Sequence, residues 1–207
     1  MKNLVIIGPP GSGKDTQVDS MRQLFDFELI STGDIARALA DKNEKYKKIV
    51  EAGGLLDDVV LTAELGKKID SIPNDMGIVF DGYPRNLHQA ELLNEILLHH
   101  NRILDQVIYL SLDEAAVVER LTNRHVCSLC GHNTGDATTC PLCGGTPTKR
   151  HDDEPAVIIR RVQTFLENTL PLINYYRNKG ILLEIDGDQS IEAVAREVKE
   201  KLGYAGE

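Results

Sequence analysis

The chain has no tryptophan, and aromatic residues make up only 5% of its 207 positions. A sheet surface built for stacking bases is therefore poorly supplied. Positive charge is also short: 23 Lys and Arg stand against 32 Asp and Glu, a formal net charge of −9. That balance argues against a broad footprint on nucleic acid or an anionic membrane, while leaving room for a local basic cleft. No apolar run approaches the length of a membrane span. Leu4-Val5-Ile6-Ile7, near the start, is too short for the apolar region of a signal peptide and has no small-residue cleavage site after it. The expected location is cytoplasmic, where disulfides are rare. Cysteine is missing from all but one stretch, and its four copies lie between Cys127 and Cys143. In a reducing compartment such clustering points to a metal instead of a disulfide framework.

What remains is ordinary globular composition, 42% hydrophobic and 27% charged, which excludes a largely disordered chain. The length fits one core with an insertion. Short apolar runs alternate with longer amphipathic stretches. They predict strands at 4–7, 28–30, 77–81, 106–110 and 181–185. Helices are expected over 14–25, 32–40, 44–52, 58–70, 87–99, 113–123 and 190–202, with Ser31 or Thr32 and Asp113 as caps. Strands separated by helices need crossover connections, so the sheet is parallel and covered on both faces. The strand runs are continuous, as doubly covered strands should be. The fold expected is α/β, a doubly wound five-stranded parallel sheet. Residues 125–149 break this rhythm, being rich in Cys, Gly, Thr and His and poor in aliphatic side chains.

Gly8-Pro9-Pro10-Gly11-Ser12-Gly13-Lys14-Asp15-Thr16 follows the first strand and opens a helix. Its glycines let backbone N–H groups converge on an anion, and the helix N-terminus adds its dipole. Lys14 supplies an ammonium for the β and γ phosphates of a nucleotide. The residue after the lysine is ordinarily Ser or Thr, whose hydroxyl holds Mg²⁺. Here it is Asp15, and the hydroxyl comes one residue later at Thr16. A carboxylate there suits the helix dipole but repels a phosphate if it turns inward. Asp15 is expected either to point away from the phosphates or to reach Mg²⁺ through water. The run from Gly77 ends in Asp81, a carboxylate aimed at a magnesium shell from the sheet's carboxyl edge. Arg85 offers a bidentate fork for a second phosphate, and Gln89 can present donor and acceptor to one base edge.

The cysteines read Cys127-x-x-Cys130 and Cys140-x-x-Cys143. Two such knuckles can meet at one tetrahedral ion, and four thiolates with no open position describe structural Zn²⁺. An iron–sulfur cluster and redox pairs are the alternatives. His132 follows Cys130 too closely to be the preferred ligand. A segment this poor in aliphatic residues cannot bury a core, so the metal folds it. A zinc ribbon for nucleic acid is disfavoured by its few basic residues and lack of aromatics.

The phosphate loop resembles that of the nucleoside monophosphate kinases, most closely the adenylate kinases, whose loop has Gly where Asp15 stands. Further segments are similar in the family's order: Ser31-Thr32-Gly33-Asp34 with Arg37, Ala52-Gly53-Gly54-Leu55-Leu56, Asp81-Gly82-Tyr83-Pro84-Arg85 with Gln89, and Asp186-Gly187-Asp188-Gln189. Arg120 and Arg124 before the cysteine segment, and Arg150, Asp152, Asp153 and Arg161 after it, complete the likeness; spacing favours Arg161 over Arg160. The family often has Lys at position 54 and a longer gap between its cysteine pairs.

The resemblance implies Mg²⁺-dependent transfer of the ATP γ-phosphoryl to AMP on a P-loop NTPase core, with Lys14, Arg85, Arg124, Arg150 and Arg161 as the catalytic set. ATP is implied at Gly8, Gly11, Ser12, Gly13, Lys14, Asp15, Thr16, Arg120, Arg124 and Gln189. AMP is implied at Thr32, Gly33, Arg37, Gly54, Leu55, Leu56, Gly82, Arg85, Gln89, Arg150 and Arg161, and the Mg²⁺ shell at Asp81, Asp152 and Asp153. The division implied is a core at 1–30, 60–123 and 160–207, a helical monophosphate-binding insertion at 31–59 and a small zinc-binding lid at 124–159, in a monomer. Other acceptors (UMP, CMP, GMP), GTP as donor, or a P-loop regulatory ATPase with a zinc ribbon are the competing readings. The last has no acceptor phosphate for Arg37 and Arg85 to clamp.

Overall fold

The computed structural model describes residues 2–135 and 137–204. In chain order its elements are β1 (Asn3–Ile7), α1 (Lys14–Met21), β2 (Phe27–Ser31), α2 (Thr32–Ala40), α3 (Glu44–Glu51), α4 (Asp58–Asp70), β3 (Gly77–Asp81), α5 (Leu87–His99), β4 (Gln106–Ser111), α6 (Glu114–Thr122), β5 (Val126–Cys127), β6 (Pro147–Thr148), α7 (Pro155–Thr164), α8 (Leu170–Asn178), β7 (Leu182–Asp186) and α9 (Ile191–Lys201).

Five strands form one parallel sheet in the order β2-β3-β1-β4-β7. Alternate residues of β1 serve its two faces. Val5 and Ile7 pack with Leu65 of α4, Leu93 of α5 and Tyr176 of α8, while Leu4 and Ile6 pack with Val18 of α1 and Val198 of α9. Helices thus cover both faces, as the continuous apolar runs required. Strand order reverses at β1, and the crevice beyond the carboxyl ends of such strands is where ligands bind in open α/β sheets. Ile6 pairs in register with Asp81, which brings the end of β3 beside the start of the glycine loop.

Side-chain caps set several helix starts. Ser31 accepts from the Asp34 amide, and Asp113 accepts from the Ala116 amide at 2.7 Å. Two expectations need correction. The first helix stops at Met21, not residue 25, because Phe25 leaves it to stack on Tyr204 with ring centroids 5.7 Å apart. Residues 155–178, for which no element was expected, carry α7 and α8 joined by a π turn at Phe165–Thr169. The wide turn shifts the apolar register and accommodates Pro171, which has no N–H to give. A small antiparallel pair, β5 with β6, lies at the base of the cysteine segment. No helix among the described residues is long and apolar enough to cross a membrane.

Arg102 is 4% exposed and donates to the carbonyls of Met76 at 2.8 Å and Pro73 at 2.6 Å, and to Asn3 Oδ1 at 3.2 Å. It ties the loop before β3 to the start of β1. Arg102→Ala strands those buried acceptors and is expected to lower stability by about 3 kcal/mol, read as a reduced midpoint in urea unfolding.

Candidate active site

β1 ends at Ile7 and the chain turns through Gly8–Gly13 into α1. Gly13, the residue before the helix, has φ 87°, a left-handed conformation that side chains resist. A Cβ on Gly8 would lie 2.4 Å from Ser12 Oγ and 2.7 Å from the Leu110 carbonyl, so the loop closes only around glycine there. The first amides of α1 have no partner within the helix and can receive an anion. Lys14 Nζ donates to the carbonyls of Gly8 and Pro9, both at 3.0 Å, and lies 3.4 Å from Ser12 Oγ. Burial lowers its pKa, with the Asp81 carboxylate opposing.

Asp81 is 9% exposed, and its Oδ1 has no hydrogen-bond partner among the described residues. Burial pushes its carboxyl up to about 6; Lys14 opposes the rise and neighbouring Asp15 adds to it. Asp15 lines the same cleft. Asp15 is exposed at the cleft and close enough to Asp81 for its charge to act on that carboxyl.

The cleft has a volume of about 570 Å³ and runs from the glycine loop to the start of α2 and the turn after β3. Lys14, Arg37, Arg85, Arg120, Arg124, Arg150 and Arg161 all line it. Two aspartates from a short 3₁₀ turn at 151–153 hold three of these arginines. Arg124 is bidentate to Asp153 at 2.8 and 2.7 Å, and Arg150 is bidentate to Asp152 at the same distances. Arg161 bridges them, 3.0 Å from Asp153 Oδ1 and 3.2 Å from Asp152 Oδ2. Burial drives the Arg161 pKa down to about 10, still fully charged at neutral pH. Arg160 is exposed and outside the cleft lining. Across the cleft, Arg120 donates to the Gly187 carbonyl and to Asp188 Oδ1, both at 3.0 Å, and Gln189 lies on the same loop.

Thr32, Gly33, Arg37, Gly54, Leu55, Leu56, Gly82 and Arg85 all line the cleft as well. Thr32 Oγ1 donates to the Gly82 carbonyl at 2.7 Å, and Arg85 Nε donates to the same carbonyl at 2.8 Å. Arg37 pairs with Asp34 at 2.5 Å.

The chain matches the family model described as adenylate kinase over residues 6–181. It is 38% identical to an adenylate kinase of Fervidobacterium nodosum over 205 residues, spanning 94% of each chain. It is also similar to the adenylate kinases of Archaeoglobus fulgidus, 36% identical over 95% of this chain and 96% of the relative, and Limosilactobacillus fermentum, 38% identical over 97% and 98%. The chain belongs to the adenylate kinase family. It is a phosphotransferase whose reaction is reversible phosphoryl transfer between ATP and AMP.

For an adenylate kinase, the placement of Gln89 is informative. Its side chain is fully buried and lies outside the cleft lining. Oε1 accepts from the Arg85 amide at 2.7 Å and Nε2 donates to Asp58 Oδ1 at 2.6 Å. Asp58 also accepts from Asn86 and faces His88. Sequence reasoning missed Asp58, which reads only as an acid in the first turn of α4. It missed Asn133 and Gly135 as well, although these bring the cysteine segment to the cleft.

That segment gathers all four thiols. The Sγ atoms of Cys127, Cys130, Cys140 and Cys143 lie within 4.8 Å of one another, the closest contacts being 3.4, 3.4 and 3.7 Å. A zinc tetrahedron with ordinary Zn–S bonds has edges of about 3.8 Å. Each knuckle closes with the same turn, Gly131 N–H to the Cys127 carbonyl and Gly144 N–H to the Cys140 carbonyl, both 2.9 Å. The Cys130 and Leu129 amides favour the Cys127 thiolate and lower that thiol, while the neighbouring thiols raise Cys143.

Burial raises the Asp152 carboxyl, but the Arg150 hydrogen bonds and the Arg161 charge outweigh it and hold the group at about 2, against an ordinary 3.8. A depressed folded-state pKa contributes stability above the ordinary value and loses it as pH falls. The stability difference between the wild type and Asp152→Asn should therefore be flat from neutral pH to about pH 4 and shrink between about 4 and 2, measured by denaturant unfolding across pH.

Proposed function

We propose that the ATP γ-phosphoryl and the AMP phosphate meet between the glycine loop and the arginines of the cleft. The observation that carries this reading is that seven cationic side chains from six segments of the chain line one recess. Phosphoryl transfer is loose and in line, so positioning and charge neutralisation do most of the work, and no general base is required. Gly8, Gly11, Ser12, Gly13, Lys14 and Thr16 hold the donor phosphates; Arg120 and Gln189 hold its base with the Gly187 backbone. Arg37 and Arg85 clamp the acceptor phosphate, while Arg124, Arg150 and Arg161 surround the group in flight. Thr32, Gly33, Gly54, Leu55, Leu56, Gly82 and Gln89 receive the acceptor nucleoside. Gln89 is fully buried, with its Oε1 on the Arg85 amide and its Nε2 on Asp58, so contact with adenine requires the segment around it to open.

Mg²⁺ would supply charge neutralisation at the nucleotide phosphates. The orphaned, buried Oδ1 of Asp81 fits such an ion. Asp152 and Asp153, already bidentate to arginines, are assigned to the outer part of the same shell. Four converging thiols with no hard donor among them fit structural Zn²⁺. We further assign residues 1–30, 60–123 and 160–207 to the core, 31–59 to acceptor binding and 124–159 to a zinc lid. The protein is read as a cytoplasmic monomer.

With ATP and AMP in a coupled assay, Lys14→Met and Arg85→Ala should each lower kcat about 10²- to 10³-fold while circular dichroism stays native. Phosphate release without ADP formation from AMP counts against the reading. Elemental analysis should find close to one zinc per chain. Chelation should unfold the 127–148 segment and depress kcat, and a chelated protein with unchanged unfolding and rate removes the zinc assignment.

A further inference from the structure

Asp15 stands where the general phosphate-loop pattern places a magnesium-binding hydroxyl and where the family has glycine. Transfer itself asks for no acid there, because a carboxylate facing a polyphosphate repels it. Three observations give it a role. Asp15 lines the same cleft as Asp81 and is close enough for its charge to push the Asp81 carboxyl up. Asp81 is nine-tenths buried, and its Oδ1 has no partner among the described residues. Lys14, the cation that could have answered them, gives its ammonium to the Gly8 and Pro9 carbonyls instead. Two neighbouring acids, one carrying an orphaned buried oxygen, are costly without a cation between them. Oxygen donors of this kind select a hard divalent ion.

We propose that Asp15 and Asp81 form a two-carboxylate site that takes a divalent cation, Mg²⁺ or Mn²⁺, before any nucleotide binds. The cation is then docked on the protein instead of arriving only on ATP, and it converts the cleft-lining acid from a repulsive group into a bridge toward the phosphates. Lys14, Arg85 and Arg150 also face the pair. Their charge weakens the site enough for the ion to exchange. The proposal rests on the assignment of Asp81 to the magnesium shell.

The test is Mn²⁺ titration of the zinc-replete, nucleotide-free protein, following loss of the free-ion electron paramagnetic resonance signal. The wild type should bind one Mn²⁺, with affinity about tenfold above that of Asp15→Asn and Asp15→Gly, since ligand charge count sets affinity at such sites. Asp15 is exposed within the open cleft, so both variants should keep the wild-type thermal unfolding midpoint, which checks that they remain folded. At fixed ATP, they should also need more free Mg²⁺ to reach half-maximal rate. Equal Mn²⁺ affinity in the wild type and Asp15→Asn overturns the proposal and leaves the Asp81 assignment standing. Unchanged affinity in Asp81→Asn removes that assignment, and the two-carboxylate site with it.

Discussion

Like charges gathered in a low-dielectric recess repel, and the cleft gathers seven cations. Arg124, Arg150 and Arg161 would push one another toward solvent if nothing held them. A three-residue turn answers with two carboxylates, Asp152 and Asp153, that form bidentate pairs with two of the arginines and share the third. Asp153 has only 2% of its side chain exposed, which makes the pairing costly to break. The anions therefore do two things. They stabilise the arginine cluster in the absence of substrate, and they fix guanidinium forks that would otherwise lose rotamer freedom on each binding event.

The same constraint explains the asymmetry of the rest of the cleft. Lys14 needs no carboxylate to hold it, because carbonyls of its own loop accept its ammonium. Those carbonyls are available only because Gly8 permits a turn that a Cβ would block. The parallel sheet supplies the platform: β1 ends in the loop, β3 in Asp81, and their register places the two side by side. An acidic chain can thus serve polyanions. Its net charge of −9 describes the surface at large, while the strand ends and the turn at 151–153 determine the local sign.

Features encoded over short spans were legible in the sequence. The glycine loop, the cysteine spacing and the buried strands each follow from neighbouring residues, and all five main strands lie within a residue or two of where periodicity puts them. Features that depend on register or on distant partners were not. The π turn at 165–169 breaks the apolar repeat of α7 and α8, so the pattern was invisible although Pro155 marks the start. The depth of Gln89 depends on Asp58, 31 positions earlier, and no local signal joins them. The effect of Asp15 on Asp81 depends on the end of β3.

One contact joins the turn after α3 to α7. A Cβ on Gly53, in the turn after α3, would lie 3.0 Å from Arg161 Cγ and 3.2 Å from Val157 Cγ1. The stem of the arginine that bridges Asp152 and Asp153 therefore packs on that turn while its head faces the cleft. On the other flank, Asn133 and Gly135 of the cysteine segment line the same recess. That segment has almost no aliphatic interior, so its rigidity must come from the four thiols, and a floppy cover excludes water poorly. Arg161 thus packs its methylenes against the Gly53 turn while Asp152 and Asp153 hold its guanidinium, so the arginine cluster is braced from both ends.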